Sequence, residues 1–94
     1  MTTELHPPML PTAADLDAAL RAVLQPSTLE VIDESASHAG HSGAGVEGYG
    51  THFRVRIGSP LFDGKSRVAR HRLVYDALHF FIARGVHAIA IETL

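Results

Sequence analysis

Apolar residues recur at helical spacing in the stretch TAADLDAALRAVL near the start of the chain. This period predicts a helix over residues 13–24. Thr12 is a candidate N-cap, Asp15 stands three positions on as in a capping box, and Pro26 marks the end of the helix. The face predicted to be buried consists of Leu16, Leu20, Val23 and Leu24.

A second and longer helical pattern covers residues 66–83, and Gly85 follows it where a helix C-terminus favours glycine. His79 lies on the polar side of this helix. His71 falls inside the apolar face, where a lone histidine is more typical of a structural contact than of a ligand. The apolar face consists of Val68, His71, Val74, Tyr75, Leu78, Phe81 and Ile82.

Three short segments are typical of strands, at residues 28–34, 52–58 and 86–92. The second alternates cleanly, with Phe53, Val55 and Ile57 on one face and Arg54 and Arg56 on the other. The order α-β-β-α-β predicts an α+β fold, a two-layer sandwich in which two helices cover a three-stranded sheet that contains an antiparallel hairpin. We expect a single domain over residues 12–94, preceded by a flexible N-terminal tail over residues 1–11.

Histidines in and near the glycine-rich segment between the first two strands are candidate metal ligands. His38 and His41 have a spacing that can chelate, and His87 begins the third strand. If His38 and His87 lie at the same edge of the sheet, they offer two nitrogens. Two nitrogens do not hold a metal firmly, so a partner would supply the remaining ligands.

Composition narrows the function further. The chain has 94 residues, a net charge of −2 and no cysteine, which indicates one small domain without disulfides or thiolate ligands. No apolar run approaches the roughly 20 residues of a membrane span, and no targeting signal is present, so a cytoplasmic protein is expected. The sequence contains no P-loop, dinucleotide-binding or triad motif, so we predict no enzymatic activity. We also expect a monomer when the chain is alone.

Positive charge is concentrated in residues 54–72, where Asp63 is the only acidic residue. Such a patch is typical of proteins that bind anionic partners such as nucleic acid, although a solvated face has the same pattern. The cations are Arg54, Arg56, Lys65, Arg67, Arg70 and Arg72.

Four segments together resemble the BolA family: LEVIDES with a following histidine, THFRVRI, FDGKSRVARHRLVY and VHAIAIET. They cover nearly the whole chain, in the family's order and spacing. The resemblance implies a fold similar to class II KH domains. It also implies structural roles for Phe62, Gly64, His71 and Tyr75.

The resemblance further implies a partnership with a monothiol glutaredoxin in iron–sulfur cluster trafficking or sensing. The pair would share a 2Fe-2S cluster, with thiolates from the glutaredoxin and glutathione, and the BolA-like chain would bind none alone. His87 matches the family's histidine at the start of the last strand, and His38 best matches the loop ligand, with His41 as its competitor. Imidazoles that replace thiolates raise the potential of such a cluster. The alternative implied by the family is a DNA-binding transcriptional regulator that uses the basic residues.

Overall fold

The computed structural model describes residues 10–35, 50–86 and 88–94. Its elements, in chain order, are the helix α1 (Ala13–Leu24), the strands β1 (Thr28–Asp33) and β2 (His52–Gly58), the helix α2 (Arg67–Ala83) and the strand β3 (Ala88–Thr93). A 3₁₀ turn over Pro60–Phe62 connects β2 to α2. The predicted α-β-β-α-β order is therefore confirmed, with strand ends that differ by one or two residues.

The helix α1 begins with the predicted capping box. The Thr12 hydroxyl accepts a hydrogen bond from the Asp15 N–H at 3.2 Å, and Asp15 accepts one from the Thr12 N–H at 2.9 Å. Leu16, Leu20 and Leu24 are buried as predicted, whereas the side chain of Val23 is 55% exposed. The assignment of Val23 to the buried face was wrong: its helical phase is close to that of Leu16, but no part of the described fold covers it in the last turn of α1.

The sheet has the order β1-β2-β3, with β1 antiparallel and β3 parallel to the central strand β2. Val55 stands at its centre, opposite Val31 on one side and Ile91 on the other. The alternation predicted for β2 is confirmed, because its apolar residues are buried under the helices while the side chain of Arg54 is exposed on the opposite face. The core is formed by buried residues of α1, β2, α2 and β3 together with Phe62.

The buried face of α2 includes only part of the arc that its sequence predicts. Val74 and Leu78 are buried, and Leu73, Ala77 and Phe81 pack against them. Three residues assigned to the buried arc are exposed instead: Val68 at 63%, Tyr75 at 41% and Ile82 at 37%. Apolar residues cover a wide arc of this helix, and contact with both α1 and β3 selects the part that is buried.

Residues 10 and 11, at the end of the predicted N-terminal tail, are packed against the domain. Pro11 is buried, and a Cβ atom placed on Gly50 would lie 2.6 Å from the Cβ of Leu10. The sequence places residues 10 and 11 in the tail, whereas the structure gives them contacts with the start of β2. No helix in the described part of the chain is long and apolar enough to cross a membrane.

Candidate functional site

The histidines predicted as ligands, His38, His41 and His87, lie outside the residues that the structure describes, as does the glycine-rich segment 36–49. The residues that flank them are described, at Ser35 and Gly50 on either side of the segment and at Val86 and Ala88 on either side of position 87. These flanking residues define where the candidate ligands join the fold.

Ser35 connects the end of β1 to the start of β2. Its side chain is fully buried, and its Oγ accepts hydrogen bonds from the Thr51 N–H at 3.0 Å and the His52 N–H at 2.9 Å. The same hydroxyl donates to the His52 carbonyl at 3.4 Å. One buried serine therefore satisfies two backbone donors at the point where segment 36–49 returns to the sheet.

Asp33 fixes both ends of that segment. One carboxylate oxygen accepts the N–H of Ser35 and the other accepts the N–H of Gly50, each at 2.9 Å. Burial alone would raise the pKa of Asp33, but its contact with the Ser35 side chain, the two backbone N–H donors and the positive field of His52 together lower that pKa below its ordinary value. The carboxylate is therefore held ionised.

The first residue of β3 joins the same place. The Ala88 N–H donates to the Thr51 carbonyl at 3.1 Å, and Ala88 stands opposite His52 in the parallel ladder. Before position 87, the Val86 N–H donates to the Phe81 carbonyl at 3.2 Å. The chain on both sides of segment 36–49 and the residue after position 87 thus meet at Thr51 and His52. We call the cluster of Asp33, Ser35, Gly50, Thr51 and Ala88 the junction.

The other described histidines have structural surroundings or are exposed. His52 is half-buried, with its Nδ1 3.0 Å from the Thr51 hydroxyl. His79 is exposed, and its Nδ1 lies 3.1 Å from the Asp76 carbonyl. His71 is half-buried between α2 and β3. No group of three or more potential metal-ligating side chains occurs within residues 10–35, 50–86 and 88–94.

The six cations separate into groups. Arg54 and Arg56 lie on the open face of the sheet, each paired with carboxylates of neighbouring strands. The Arg54 Nε is 2.9 Å from Glu34, and Arg56 bridges Glu30 at 3.1 Å and Glu92 at 2.9 Å. Hydrogen bonds to these carboxylates raise the pKa of both arginines. Their charge is therefore largely neutralised locally.

Three other cations line a cleft of about 500 Å³ between the start of α2 and the end of β3, which we call the basic cleft. Its lining consists of Lys65, Arg67, Arg70, His71, Ile91, Glu92 and Thr93. Arg72, on the same helix, is exposed and does not contribute to it.

The residues with predicted structural roles are placed as follows. Phe62 is buried in the core, and Gly64 has a φ of 72°, which favours glycine at this turn. The Tyr75 hydroxyl donates to the Ile89 carbonyl at 3.2 Å and so connects α2 to β3. Sequence reasoning missed Ser35, although the Asp33–Ser35 spacing after a strand is typical of a side chain that bonds a backbone N–H two residues on.

Known proteins resemble this chain over most of its length. A family model described as BolA-like protein matches residues 20–94. BolA-like protein 1 of Mus musculus is 43% identical over 82 residues, which cover 87% of this chain and 56% of the relative. The DNA-binding transcriptional regulator BolA of Escherichia coli (strain K12) is 40% identical over 78 residues, which cover 83% of this chain and 70% of that protein.

A solved structure has the same fold. The BolA domain of SufE1 from Arabidopsis thaliana matches with a TM-score of 0.75 and 42% identity, over 86% of this chain and 87% of that one. The match confirms the predicted α+β architecture. The chain spans about half the length of the mouse relative.

Proposed function

This chain belongs to the BolA family, and on that premise we propose that it is a partner of a monothiol glutaredoxin. In this proposal the two proteins share a bridging 2Fe-2S cluster as cargo for assembly, trafficking or sensing. His87 supplies one ligand, and His38 supplies the second, with His41 as the competitor for that position. The glutaredoxin cysteine and glutathione supply the thiolates.

The observation that carries the proposal is the junction. Segment 36–49, which contains His38 and His41, leaves the fold at Ser35 and returns at Gly50, and both residues are bonded to Asp33. Position 87 directly precedes Ala88, which is bonded to Thr51. The residues that connect the candidate ligands to the described fold are therefore held in one hydrogen-bonded cluster, at the end of the sheet where β1 ends and β2 and β3 begin.

The donor chemistry also supports a shared cluster. The chain contains no cysteine, so its strongest ligands for iron are histidine nitrogens. One or two imidazoles do not complete the coordination of a two-iron cluster, whereas thiolates from a partner would. A bridging cluster held partly by imidazole is expected to be labile, and that property suits transfer.

Anaerobic reconstitution with a monothiol glutaredoxin, glutathione, iron and sulfide tests the proposal, with visible absorption and circular dichroism as readouts. We expect a heterodimer spectrum that differs from that of the glutaredoxin alone, is lost in His87→Ala and is altered in only one of His38→Ala and His41→Ala. His79→Ala is the matched control, because His79 is exposed and its ring contacts the Asp76 carbonyl of its own helix. A spectrum unchanged in all three ligand variants would refute the proposal.

A second candidate function is regulation of transcription by direct DNA binding. It is supported by the printed name of the Escherichia coli relative and by the basic cleft with Lys65, Arg67 and Arg70. Phosphate contacts release counterions, so DNA binding would weaken steeply as salt rises and would survive His87→Ala. Titration of a labelled duplex at low and moderate salt, with Arg67→Ala and His87→Ala proteins, separates this candidate from the first.

A further inference from the structure

The outer edge of β3 has backbone groups that are available for hydrogen bonding. The N–H groups of Ala88 and Leu94 donate to the carbonyls of Thr51 and Ile57, so the backbone N–H and C=O groups of the even-numbered residues of β3 point toward β2. The backbone groups of the odd-numbered residues point away from β2, as the bond from the Tyr75 hydroxyl to the Ile89 carbonyl indicates. Within the described part of the chain, the outward N–H and C=O groups of Ile91 and Thr93 have no partner, as is typical of an edge strand.

The basic cleft runs along this same stretch of the edge. Ile91 and Thr93 form one wall, and Lys65, Arg67 and Arg70 stand opposite. Glu92 is the only carboxylate in the lining, and it is already paired with an arginine of β2 on the open face of the sheet. The cleft therefore has an excess of positive charge, and its volume lies within the roughly 300–1,000 Å³ of ligand sites.

Arg70 is held in position before any ligand arrives. Its Nε donates to the Lys65 carbonyl at 2.9 Å, and its guanidinium carbon lies 6.0 Å from the centre of the Phe62 ring. The terminal nitrogens of Arg70 have no acceptor among the described residues. The first turn of α2 contains no acidic residue to offset the positive end of the helix dipole. Each of these features favours an anionic ligand.

We propose that the basic cleft binds an extended peptide segment with acidic side chains, which adds to the sheet along the outer edge of β3. The backbone of the peptide pairs with Ile91 and Thr93, and its carboxylates contact Arg67, Arg70 and Lys65. Strand addition provides hydrogen bonds through the main chain and selectivity through alternate side chains. Charge alone would attract a nucleic acid equally well, but the paired N–H and C=O groups of a strand edge are complementary to a peptide.

A fluorescein-labelled peptide of alternating glutamate and valine is a suitable probe, titrated into the full chain by anisotropy without a cluster or glutaredoxin. We expect saturable binding that weakens about tenfold in Arg67→Ala/Arg70→Ala, since charge-assisted hydrogen bonds are lost. Arg72→Ala, which removes an equal type of charge outside the cleft, should leave binding unchanged. Because this test contains no cluster, its outcome is independent of the proposed glutaredoxin partnership.

The main-chain part of the proposal needs a separate pair of variants. Thr93→Pro removes an outward N–H without breaking the bond from Leu94 to β2, and proline is tolerated on edge strands. Thr93→Val keeps that N–H and the shape of the side chain. We expect Thr93→Pro to lower the affinity for the peptide about tenfold and Thr93→Val to leave that affinity unchanged. Thermal unfolding followed by far-ultraviolet circular dichroism verifies that each variant is folded.

Four results would overturn the proposal. The first is the absence of saturable peptide binding. The second is equal binding by the folded Thr93→Pro and Thr93→Val proteins, which would reduce the cleft to a site for any polyanion. The third is an equal loss of peptide affinity in Arg72→Ala and Arg67→Ala/Arg70→Ala, which would indicate that the peptide responds to the general positive charge of the surface and not to the cleft. Displacement of the peptide by a short DNA duplex that itself binds Thr93→Pro normally would assign the cleft to nucleic acid.

Discussion

Replacement of Ser35 by alanine tests whether the junction is held together by one buried hydroxyl. The Oγ of Ser35 is the acceptor for the N–H groups of Thr51 and His52, at 3.0 and 2.9 Å. Ser35→Ala removes this acceptor and leaves the surrounding apolar packing nearly unchanged. Thr51 is only 5% exposed, so water does not readily replace the lost bond.

The size of the effect follows from the burial of the two donors. A buried donor without a partner destabilises a protein by about 1–3 kcal/mol. The Thr51 N–H is expected to contribute near the middle of that range and the half-buried His52 N–H less, so we expect a total of about 2–3 kcal/mol. Small domains are stable by only about 5–15 kcal/mol, so this is a large fraction of the free energy of unfolding.

Urea denaturation measures this loss directly. With an m-value of about 1.5 kcal/mol/M, the midpoint for Ser35→Ala should fall by about 1.3–2 M. Ser27→Ala is the matched control, because the Ser27 hydroxyl donates to the Gly58 carbonyl at 3.3 Å and that carbonyl keeps the bond from the Ser27 N–H. Amide exchange at Thr51 should accelerate only in Ser35→Ala. A loss no greater than that of Ser27→Ala would refute the assignment of Ser35 as the central acceptor.

Further predictions concern acid, backbone conformation and surface charge. The pKa of Asp33 is lowered in the fold, so its contribution to stability is present above the unfolded-state pKa near 4 and is lost as pH falls through the folded-state pKa. In Asp33→Asn, the urea midpoint of unfolding should therefore depend less on pH in the acidic range. Gly50 has a φ of 80°, and a Cβ there would lie 2.9 Å from the Pro11 carbonyl oxygen. Gly50→Ala should therefore lower the free energy of unfolding, measured in urea, by about 1–3 kcal/mol. The loss should exceed that of Gly64→Ala, because Gly64 has a φ of 72° but open space around it. Arg56→Gln should leave the urea midpoint unchanged at moderate salt, since exposed ion pairs contribute little, and a shift as large as that of Gly64→Ala would contradict this.

Local sequence patterns predicted the elements well because their signals lie within a few residues of one another. The capping box of Thr12 and Asp15 and the alternation along β2 are of this kind. The patterns failed where the outcome depends on distant residues. Val68 has the right helical phase to be buried, but no part of the described fold covers it. The same limit explains why the arginines of β2 looked like part of a single basic patch, since the carboxylates that pair with Arg56 come from β1 and β3.

Ser35 illustrates the other limit of sequence reasoning. Serine is common in loops, and its position after a strand indicates only a turn. Its burial accompanies the meeting of the end of β1 with the start of β2, which no local pattern encodes. The candidate ligands are a different case. His38, His41 and His87 were identified from residue type and family resemblance, and the structure contributes the described residues next to them in the chain rather than their own positions.

The junction and the basic cleft lie at different places along β3, and this separation allows the two proposals to be tested independently. The junction contacts the strand at Ala88, whereas the cleft contacts it from Ile91 onward. The stretch from Ala88 to Ile91 spans about 10 Å of strand. Substitutions this far apart without a shared partner usually act additively. We therefore expect the Arg67→Ala/Arg70→Ala protein to form the same cluster spectrum with a glutaredoxin, and the His87→Ala protein to bind the acidic peptide normally. Loss of both activities in either variant would mean that β3 transmits a change between the two sites.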